Sequence, residues 1–322
     1  MDMERLRRNS FLVLGRAGMD LYADPPGTRV EQSEKFSSAL GGSAANIAAA
    51  IVKLGGTAAL VTAVSDDAVG GYIRNQLRHY GIDAPYVATV GGAARSSLAV
   101  VETRNEDCQS VIYRNGAADF ALTVQHVEDV AYDDFGALVI TGTSLALEPS
   151  RAATLYAMAL ARNAGLPIIL DVDYRPYSWT SRSEASEVCG RAASISDIIV
   201  GNDVEFAVMA GIGDGLGLAR KLAEETQRIT VYKMGEKGSV TSCGERSFET
   251  GIYPVAALKP TGAGDAFMGG FLTSLAFGLD LEAAVQRGSA AAAIVVTRVG
   301  CAPAMPTASE LASFVAGHSA GA

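Results

Sequence analysis

Short apolar runs alternate with amphipathic stretches along most of the chain. Apolar and β-branched runs predict strands at 11–15, 58–64, 137–141, 167–172, 198–200, 229–233 and 239–242. Apolar positions spaced three and four residues apart predict helices at 43–54, 68–80, 150–164, 264–277, 281–296 and 307–316. Strands and helices that alternate in this way favour a doubly wound, mostly parallel α/β sheet with helices on both faces.

One part of the chain interrupts this alternation. Residues 96–103 and 109–114 predict two strands joined by a polar turn at 104–107. A stretch rich in proline and glycine at 24–28 indicates a loop over 21–40. We expect the segments at about 21–40 and 95–116 to form a small β lid on a single α/β domain that spans residues 11–317.

Composition and charge narrow the classes of protein. The 322 residues carry a net charge of −9 and are 49% hydrophobic, which supports a buried core rather than disorder. The sequence has no basic cluster of the kind that binds nucleic acid, no apolar run of the roughly 18 residues that span a membrane, and no signal-peptide pattern. The four cysteines are scattered, so we expect a cytoplasmic protein without a zinc site or a disulfide framework.

A glycine-rich turn at a predicted helix start is the strongest candidate for chemistry. Residues 261–265 read TGAGD and lead into the helix predicted at 264–277. Gly262 and Gly264 allow a sharp turn that presents consecutive N–H groups, which suits phosphate oxygens or a transferring phosphoryl group. Asp265 follows, where we expect the helix dipole to keep the carboxylate ionised and able to accept a proton from a hydroxyl. The same residues could also form only a tight turn, with Asp265 as an ordinary helix-start residue.

Other phosphate-binding patterns are missing from the sequence. No GxxxxGK[ST] motif occurs, and the turn after the first predicted strand has the wrong spacing for a GxGxxG dinucleotide fingerprint. The sequence therefore disfavours a Rossmann dehydrogenase.

Two motifs together resemble a known family. GGSAAN at 41–46 and PTGAGDAF at 260–267 are similar to the signatures of the ribokinase-like, or PfkB, carbohydrate kinases, and the resemblance covers about residues 11–315. It implies a doubly wound α/β fold with a small β lid, ATP as the phosphoryl donor and a requirement for Mg²⁺. It also implies that Asp265 is the catalytic base, and that Gly262, Ala263 and Gly264 form the anion hole with the amide of Asp265.

The resemblance assigns roles to further positions. Those that match sugar-binding positions are Asp20, Gly41, Gly42 and Asn46. Those that match the nucleotide-binding positions are Asn202, Lys233, Gly235, Gly238 and Thr261. Asn202 and Glu205 match an N-x-x-E motif that organises magnesium through water and phosphate. Taken alone, this pair could equally be a helix cap, and residues 235–238 could be a plain hairpin turn.

The segment DVDYRPYSW at 171–179 bears on the acceptor. Its pattern resembles kinases of keto-deoxy sugar acids within the family, and it implies 5-dehydro-2-deoxygluconate, a compound of inositol breakdown, as the acceptor. Asp171, Asp173 and Arg175 lie at or just beyond the end of the strand predicted at 167–172 and should face the crevice. A sugar acid carries a carboxylate, and arginine pairs with carboxylates in bidentate fashion. The candidate arginines are Arg16, Arg114 and Arg175.

Several alternatives stay open at this point. The acceptor could be 2-keto-3-deoxygluconate, fructose, ribose or a nucleoside, and the chain could be a sugar-binding protein without turnover. Family members often carry an aspartate two residues before the motif threonine, which is associated with a monovalent cation. Lys259 stands there in this sequence, so dependence on potassium is in doubt. The lid could also pair two copies into a homodimer.

Overall fold

A sheet of nine strands lies at the centre of the molecule, in a computed structural model that describes residues 3–104, 107–211 and 213–318. Its strands are β1 (Ser10–Leu14), β4 (Thr57–Ser65), β5 (Val87–Val90), β8 (Ala137–Thr141), β9 (Ile168–Asp171), β10 (Ile198–Asn202), β11 (Ile229–Lys233), β12 (Ser239–Cys243) and β13 (Arg246–Thr250). They run in the order β13-β12-β11-β10-β9-β8-β1-β4-β5. All neighbouring pairs are parallel except β11–β12 and β12–β13, which confirms the predicted mostly parallel sheet.

Helices cover both faces of this sheet, as the alternating pattern predicts. The helices are α1 (Met3–Leu6), α2 (Ser43–Lys53), α3 (Ala68–His79), α4 (Gln125–Glu128), α5 (Ser150–Asn163), α6 (Arg182–Ser194), α7 (Asp203–Met209), α8 (Gly215–Thr226), α9 (Ala263–Ala276), α10 (Leu281–Val296) and α11 (Ala308–Gly317). Strand β1 shows why helices are needed on both faces of the sheet, because its apolar side chains point to both. Phe11 and Val13 pack in one buried cluster with α2 and α9, whereas Leu12 and Leu14 pack in another with α5 and α6. In the part of the chain that the structure describes, no helix is both long and apolar enough to cross a bilayer.

A second, smaller sheet has four strands and fits the expected β lid. Its strands are β2 (Gly18–Asp24), β3 (Lys35–Gly41), β6 (Ser97–Val101) and β7 (Ser110–Tyr113), in the order β3-β2-β6-β7. The hairpin predicted at 96–103 and 109–114 is present as β6 and β7, which pair antiparallel. The turn between them, at 104–107, includes two positions outside the described residues.

The prediction of a loop over 21–40 was wrong, because much of that segment belongs to β2 and β3. These two strands pair antiparallel from Gly18 and Gly41 to Asp24 and Lys35, so only the proline-rich stretch and its neighbours form the connection. Strand β2 escapes detection because one of its buried positions is the polar Asp20. A carboxylate on the buried side breaks the apolar–polar alternation that predicts a strand.

Helices α2 and α9 cross at close range beneath the small sheet. An ideal Cβ atom on Gly269 of α9 would lie 2.3 Å from Cβ of Ala50 on α2, so only glycine fits at this crossing. Small side chains let two helix backbones approach more closely than the usual 8–10 Å between axes. This contact fixes the first turns of both helices relative to each other.

Candidate active site

One large pocket lies between the carboxyl ends of the parallel strands and the small sheet. Its volume is about 1140 Å³, and its position is where doubly wound sheets bind ligands. The predicted residues that line it are Arg16, Asp20, Gly42, Asn46, Arg114, Asp171, Asp173, Arg175, Asn202, Glu205, Lys233, Gly235, Gly238, Thr261, Gly262, Ala263, Gly264 and Asp265. Gly41 lies just behind the wall, where an added Cβ would meet Oδ1 of Asp20 at 1.9 Å. The fold therefore brings the predicted residues together from segments far apart in the chain.

The N-terminus of α9 opens into this pocket. Gly262 precedes the helix with a φ of 86°, a left-handed conformation that favours glycine. The amide of Ala266 donates to the carbonyl of Gly262 at 3.0 Å and forms the first bond of the helix. The N–H groups of Ala263, Gly264 and Asp265 therefore have no partner along the helix axis, as in the first turn of any helix. Three free amides and the positive end of the helix dipole make this turn an anion-binding site.

Asp265 lies on the floor of the pocket, in contact with the pocket space but surrounded by protein. Its Oδ2 accepts a hydrogen bond of 2.9 Å from Nδ2 of Asn46. Burial, together with the negative charge of Asp173, raises the pKa of Asp265 to about 7, against the opposing effects of Asn46, Arg175 and Lys233. The expected ionising effect of the helix dipole is thus joined by an opposing effect, because burial of the carboxylate raises its pKa. A carboxylate with a pKa near neutrality is well matched to general-base chemistry.

Acidic side chains cluster around Asp265. Burial raises the pKa of Asp171 well above its ordinary value, and Lys233 acts in the opposite direction. Asp173 forms an ion pair of 2.7 Å with Arg175, and although burial acts to raise its pKa, the charge of Arg175 contributes to a net lowering. The pKa values of Asp171 and Asp173 are therefore shifted in opposite directions within one cluster.

Asn202 and Glu205 form a reciprocal capping box at the start of α7. Oδ1 of Asn202 accepts from the amide of Glu205 at 2.9 Å, and Oε2 of Glu205 accepts from the amide of Asn202 at 2.7 Å. The second carboxylate oxygen accepts from the amide of Tyr174 at 3.2 Å. The helix-cap interpretation is thus correct for the local structure, while both side chains also line the pocket. Among the described residues, no group of three or more histidine, cysteine, aspartate and glutamate side chains forms a metal-binding cluster.

The lining of the pocket contains buried polar atoms that lack a partner among the described residues. Three of these atoms are Oδ1 of Asp20, Oδ1 of Asn46 and Oγ1 of Thr261. Buried polar atoms are rarely left without a hydrogen bond. Since all three belong to pocket-lining residues, a bound molecule with several hydroxyl groups would satisfy them.

The three candidate arginines differ in how far their guanidinium groups are already used. Arg114 is buried, donates to Asp119 and to the carbonyl of Thr143, and stacks 4.0 Å from the ring centre of Phe120. Arg175 pairs with Asp173 and is half exposed. Arg16 is buried, and the partner of its guanidinium is Oγ of Ser97 at 3.0 Å. Arg16 and Arg175 each have one guanidinium nitrogen engaged and retain donors for a ligand, whereas Arg114 retains the fewest.

Sequence reasoning missed several residues of the pocket. Tyr22 donates to Oδ2 of Asp20 at 3.0 Å and contacts Sγ of Cys301 at 3.3 Å, yet no motif singles out either residue. A second group forms an apolar wall beside the N-terminus of α9, and its members are Ile252, Val255, Ala292 and Val296. Isolated apolar residues in a loop and a helix resemble ordinary core positions, so only the three-dimensional structure could reveal this wall.

A doubly wound sheet with an anion-binding helix N-terminus beside a partly buried carboxylate is typical of enzymes that transfer phosphoryl groups to small hydroxyl compounds. Comparison with known proteins supports this class of enzyme. The model of the pfkB family of carbohydrate kinases matches residues 8–308. The chain therefore belongs to the pfkB family of carbohydrate kinases.

Individual relatives are similar over nearly their whole length. A 5-dehydro-2-deoxygluconokinase from Photobacterium profundum is 42% identical over 310 residues, which are 94% of this chain and 94% of that protein. The protein of the same name from Geobacillus kaustophilus is 34% identical, with 96% of this chain and 94% of the relative covered.

Solved structures share the fold. A fructokinase from Xylella fastidiosa with bound ATP has a TM-score of 0.85 at 22% identity, with 96% of this chain and 99% of that chain covered. A putative ribokinase II from E. coli in complex with ATP and Mg²⁺ has a TM-score of 0.86 at 22% identity over the same shares. These likenesses confirm the predicted ribokinase-like α/β fold.

Proposed function

We propose that this protein transfers the γ-phosphoryl group of ATP to a primary hydroxyl group of 5-dehydro-2-deoxygluconate. The observation that carries the proposal is Asp265, a partly buried carboxylate with a pKa raised to about 7, next to the free amides of residues 263–265 in one pocket. The names of the curated relatives support this acceptor. Arg16 and Arg175 supply the positive charge that a sugar acid requires.

In the proposed reaction, Asp265 accepts the proton of the acceptor hydroxyl as that oxygen attacks the γ-phosphorus of ATP. The bond between this phosphorus and the β–γ bridging oxygen breaks, and ADP leaves. The amides of Ala263, Gly264 and Asp265 stabilise the negative charge on the transferring group, which is the main contribution of a protein to phosphoryl transfer. Asn46 holds the carboxylate through its hydrogen bond of 2.9 Å. Its own unpartnered oxygen, with that of Asp20, accepts from other hydroxyl groups of the acceptor.

Magnesium would be held on the side of Asn202 and Glu205. Each carboxylate oxygen of Glu205 accepts one amide and keeps lone-pair capacity for a metal-bound water. Mg²⁺ usually retains several waters, so a site with few direct protein ligands fits it. When bound, the ion would offset the negative charge of the phosphates. Lys233, whose Nζ would lie 3.6 Å from a Cβ on Gly264, adds a positive charge at the anion site.

The nucleotide base would lie against the apolar wall of Ile252, Val255, Ala292 and Val296, close to the turn at Gly235 and Gly238. The acceptor would lie under the small sheet, which acts as the lid of one functional unit over residues 11–317. Strand β6 supports this placement, because Ala99 and Val101 line the pocket.

The outer face of the small sheet would pair with a second copy of the chain. Val111 and Tyr113 on edge strand β7 are 45% and 62% exposed, and Phe36 on edge strand β3 is 41% exposed. Large exposed apolar side chains on one face are typical of an interaction surface. Light scattering on the eluting protein should give a dimer mass, and Tyr113→Asp should give a monomer. A monomeric wild-type protein would refute the pairing.

The reaction is tested by a coupled assay of ATP consumption with a panel of acceptors. The panel contains 5-dehydro-2-deoxygluconate, 2-keto-3-deoxygluconate, fructose, ribose and a nucleoside. We expect the highest kcat/KM for the first compound, by roughly tenfold or more over neutral sugars, because a guanidinium–carboxylate pair is worth about 1.5–3 kcal/mol. A preference for a neutral sugar would contradict the proposed acceptor. ATP consumption that does not depend on any acceptor would contradict the kinase reaction itself.

A further inference from the structure

Lys259 is buried completely and has no part in the reaction described so far. Its relative exposure is 0%, although lysine is almost never fully buried without a partner of opposite charge. It lies three residues before Gly262, on the segment that leads into α9. A methionine of similar length would fill this position without the cost of removing an ammonium group from water.

The side chain of Lys259 turns towards the anion-binding turn. Its ammonium group donates to the carbonyl of Thr261, the one acceptor that it reaches among the described residues. The main chain is held at the same point, because the amides of Leu258 and Lys259 both donate to the carbonyl of Val296, at 2.7 Å and 3.2 Å. The segment before α9 is thus tied to the end of α10 by its backbone and to the turn by its side chain.

The bonded carbonyl has a direct geometric link to the anion site. The carbonyl of Thr261 and the N–H of Gly262 belong to one peptide unit, which is planar and has the two groups pointing in opposite directions. Fixing the carbonyl therefore fixes the orientation of the Gly262 amide and of the left-handed residue that starts α9. A displacement of about 1 Å in such a turn can reduce a rate by about 100-fold.

The ammonium group also lies among the acidic groups of the site. Burial lowers the pKa of Lys259, and Cys301, Asp265 and Asp20 act in the opposite direction. Burial likewise raises the pKa of Asp20, and Lys259 is among the groups that counteract it. A positive charge at this place is therefore felt on the acceptor side at Asp20 and at the proposed base, Asp265.

We propose that Lys259 is a positioning residue whose ammonium group holds the Thr261–Gly262 peptide in the orientation required for phosphoryl transfer and adds a fixed positive charge beneath the anion site. The inference rests on the proposed role of residues 262–265. The charge of the side chain, and not only its length, thus has a role in turnover.

The first test is Lys259→Met, which keeps the aliphatic length and removes the charge. We expect kcat to fall by about 10- to 100-fold, with KM for ATP and for the acceptor changed by less than about threefold. Tm should stay the same or rise, because a buried charge is removed. The matched control is Lys53→Met, since the ammonium group of Lys53 also donates to a backbone carbonyl, that of Pro303 at 3.2 Å, outside the pocket. This control should keep the wild-type kcat.

The second test uses Lys259→Ala, which leaves a space for a small cation. Ammonium chloride should restore kcat in a saturable manner, whereas tetramethylammonium chloride at the same ionic strength should not. A Lys259→Met protein with wild-type kcat would overturn the inference. So would a loss of kcat only in proportion to a loss of Tm, or an alanine variant that ammonium does not restore.

The failure of this inference can be distinguished from failure of the proposed site. If Asp265→Asn is inactive and Lys259→Met is normal, only the role of the lysine is wrong. If Asp265→Asn itself keeps the wild-type kcat, the assignment of residues 262–265 is wrong, whatever Lys259 does.

Discussion

Asn46 and Asp265 lie 219 positions apart in the chain and are joined by a hydrogen bond of 2.9 Å from Nδ2 to Oδ2. Each residue lies in the first turn of its helix, Asn46 on α2 and Asp265 on α9. Four residues further along each helix, Ala50 and Gly269 form the close crossing of the two backbones. The helix contact and the hydrogen bond therefore act together, since the first holds the two side chains at bonding distance.

Gly269→Ala tests this coupling between helix packing and chemistry. The new methyl group would lie 2.3 Å from Cβ of Ala50, so the helices must separate. We expect a loss of about 1–3 kcal/mol in the free energy of unfolding and a fall in kcat of about tenfold or more. Gly71→Ala on α3 is the matched control, because nothing lies within 4 Å of its added Cβ. A Gly269→Ala enzyme with reduced stability and unchanged kcat would separate the crossing from catalysis.

Asp265→Asn tests the base. Its kcat should fall by roughly 10² to 10⁴, the usual contribution of a general base, while the amide keeps nearly the same shape. The stability of the folded protein should not decrease above neutral pH. In the wild type, the pKa of Asp265 is raised to about 7, so ionisation of this group costs stability as the pH rises from about 4 to 7. Asparagine removes that cost. Thermal unfolding at pH 8 should therefore show a Tm at or above the wild-type value, and a clearly lower Tm would point to misfolding.

The dependence of kcat/KM on pH reports the free enzyme. Because the base must be deprotonated, kcat/KM should fall as the pH drops through about 7. We call this fall in kcat/KM at low pH the acidic limb of the profile. The charged groups that face Asp265 shift the acidic limb in opposite directions. Burial is the main cause of the raised pKa and Asp173 adds to it, so Asp173→Asn should move the limb to lower pH; Arg175 acts against it, so Arg175→Met should move the limb to higher pH. A limb that does not move in either variant would mean that another group titrates.

The sequence predicted seven of the nine strands of the large sheet, because strands such as β1 and β8 are apolar at four of their five positions. It missed the edge strands β5 and β13 and the helices α4, α7 and α8, but found helices such as α5 that have a regular apolar face. It failed where burial does not require large apolar residues. Helix α6 was missed because its buried positions are Ala185, Cys189, Ala192 and Ala193, which give only a weak periodic signal. Strand β2 was missed because Asp20 faces inward.

The predicted site residues met in one pocket because the motifs lie at strand ends and helix starts, which the topology brings to one edge of the sheet. What the sequence could not supply is the electrostatic environment. The raised pKa of Asp265 depends on burial and on Asp173, neither of which a local motif reveals. The same limit applies to Lys259, which the sequence marked only as a departure from the family pattern.

Substitutions of the three arginines should differ in their effects on KM when acidic and neutral acceptors are compared. Arg16→Met and Arg175→Met should raise KM for a sugar acid by about 10- to 100-fold, the value of a charged hydrogen bond, and change KM for fructose much less. Arg114→Met should affect both acceptors equally and lower the free energy of unfolding by about 3–5 kcal/mol, because it leaves the buried Asp119 without its ion pair. Steady-state kinetics on both acceptors, with urea unfolding of each variant, measures the two effects. If Arg16→Met lowers the activity on both acceptors to the same extent, Arg16 supports Ser97 and the small sheet instead of binding the acid group.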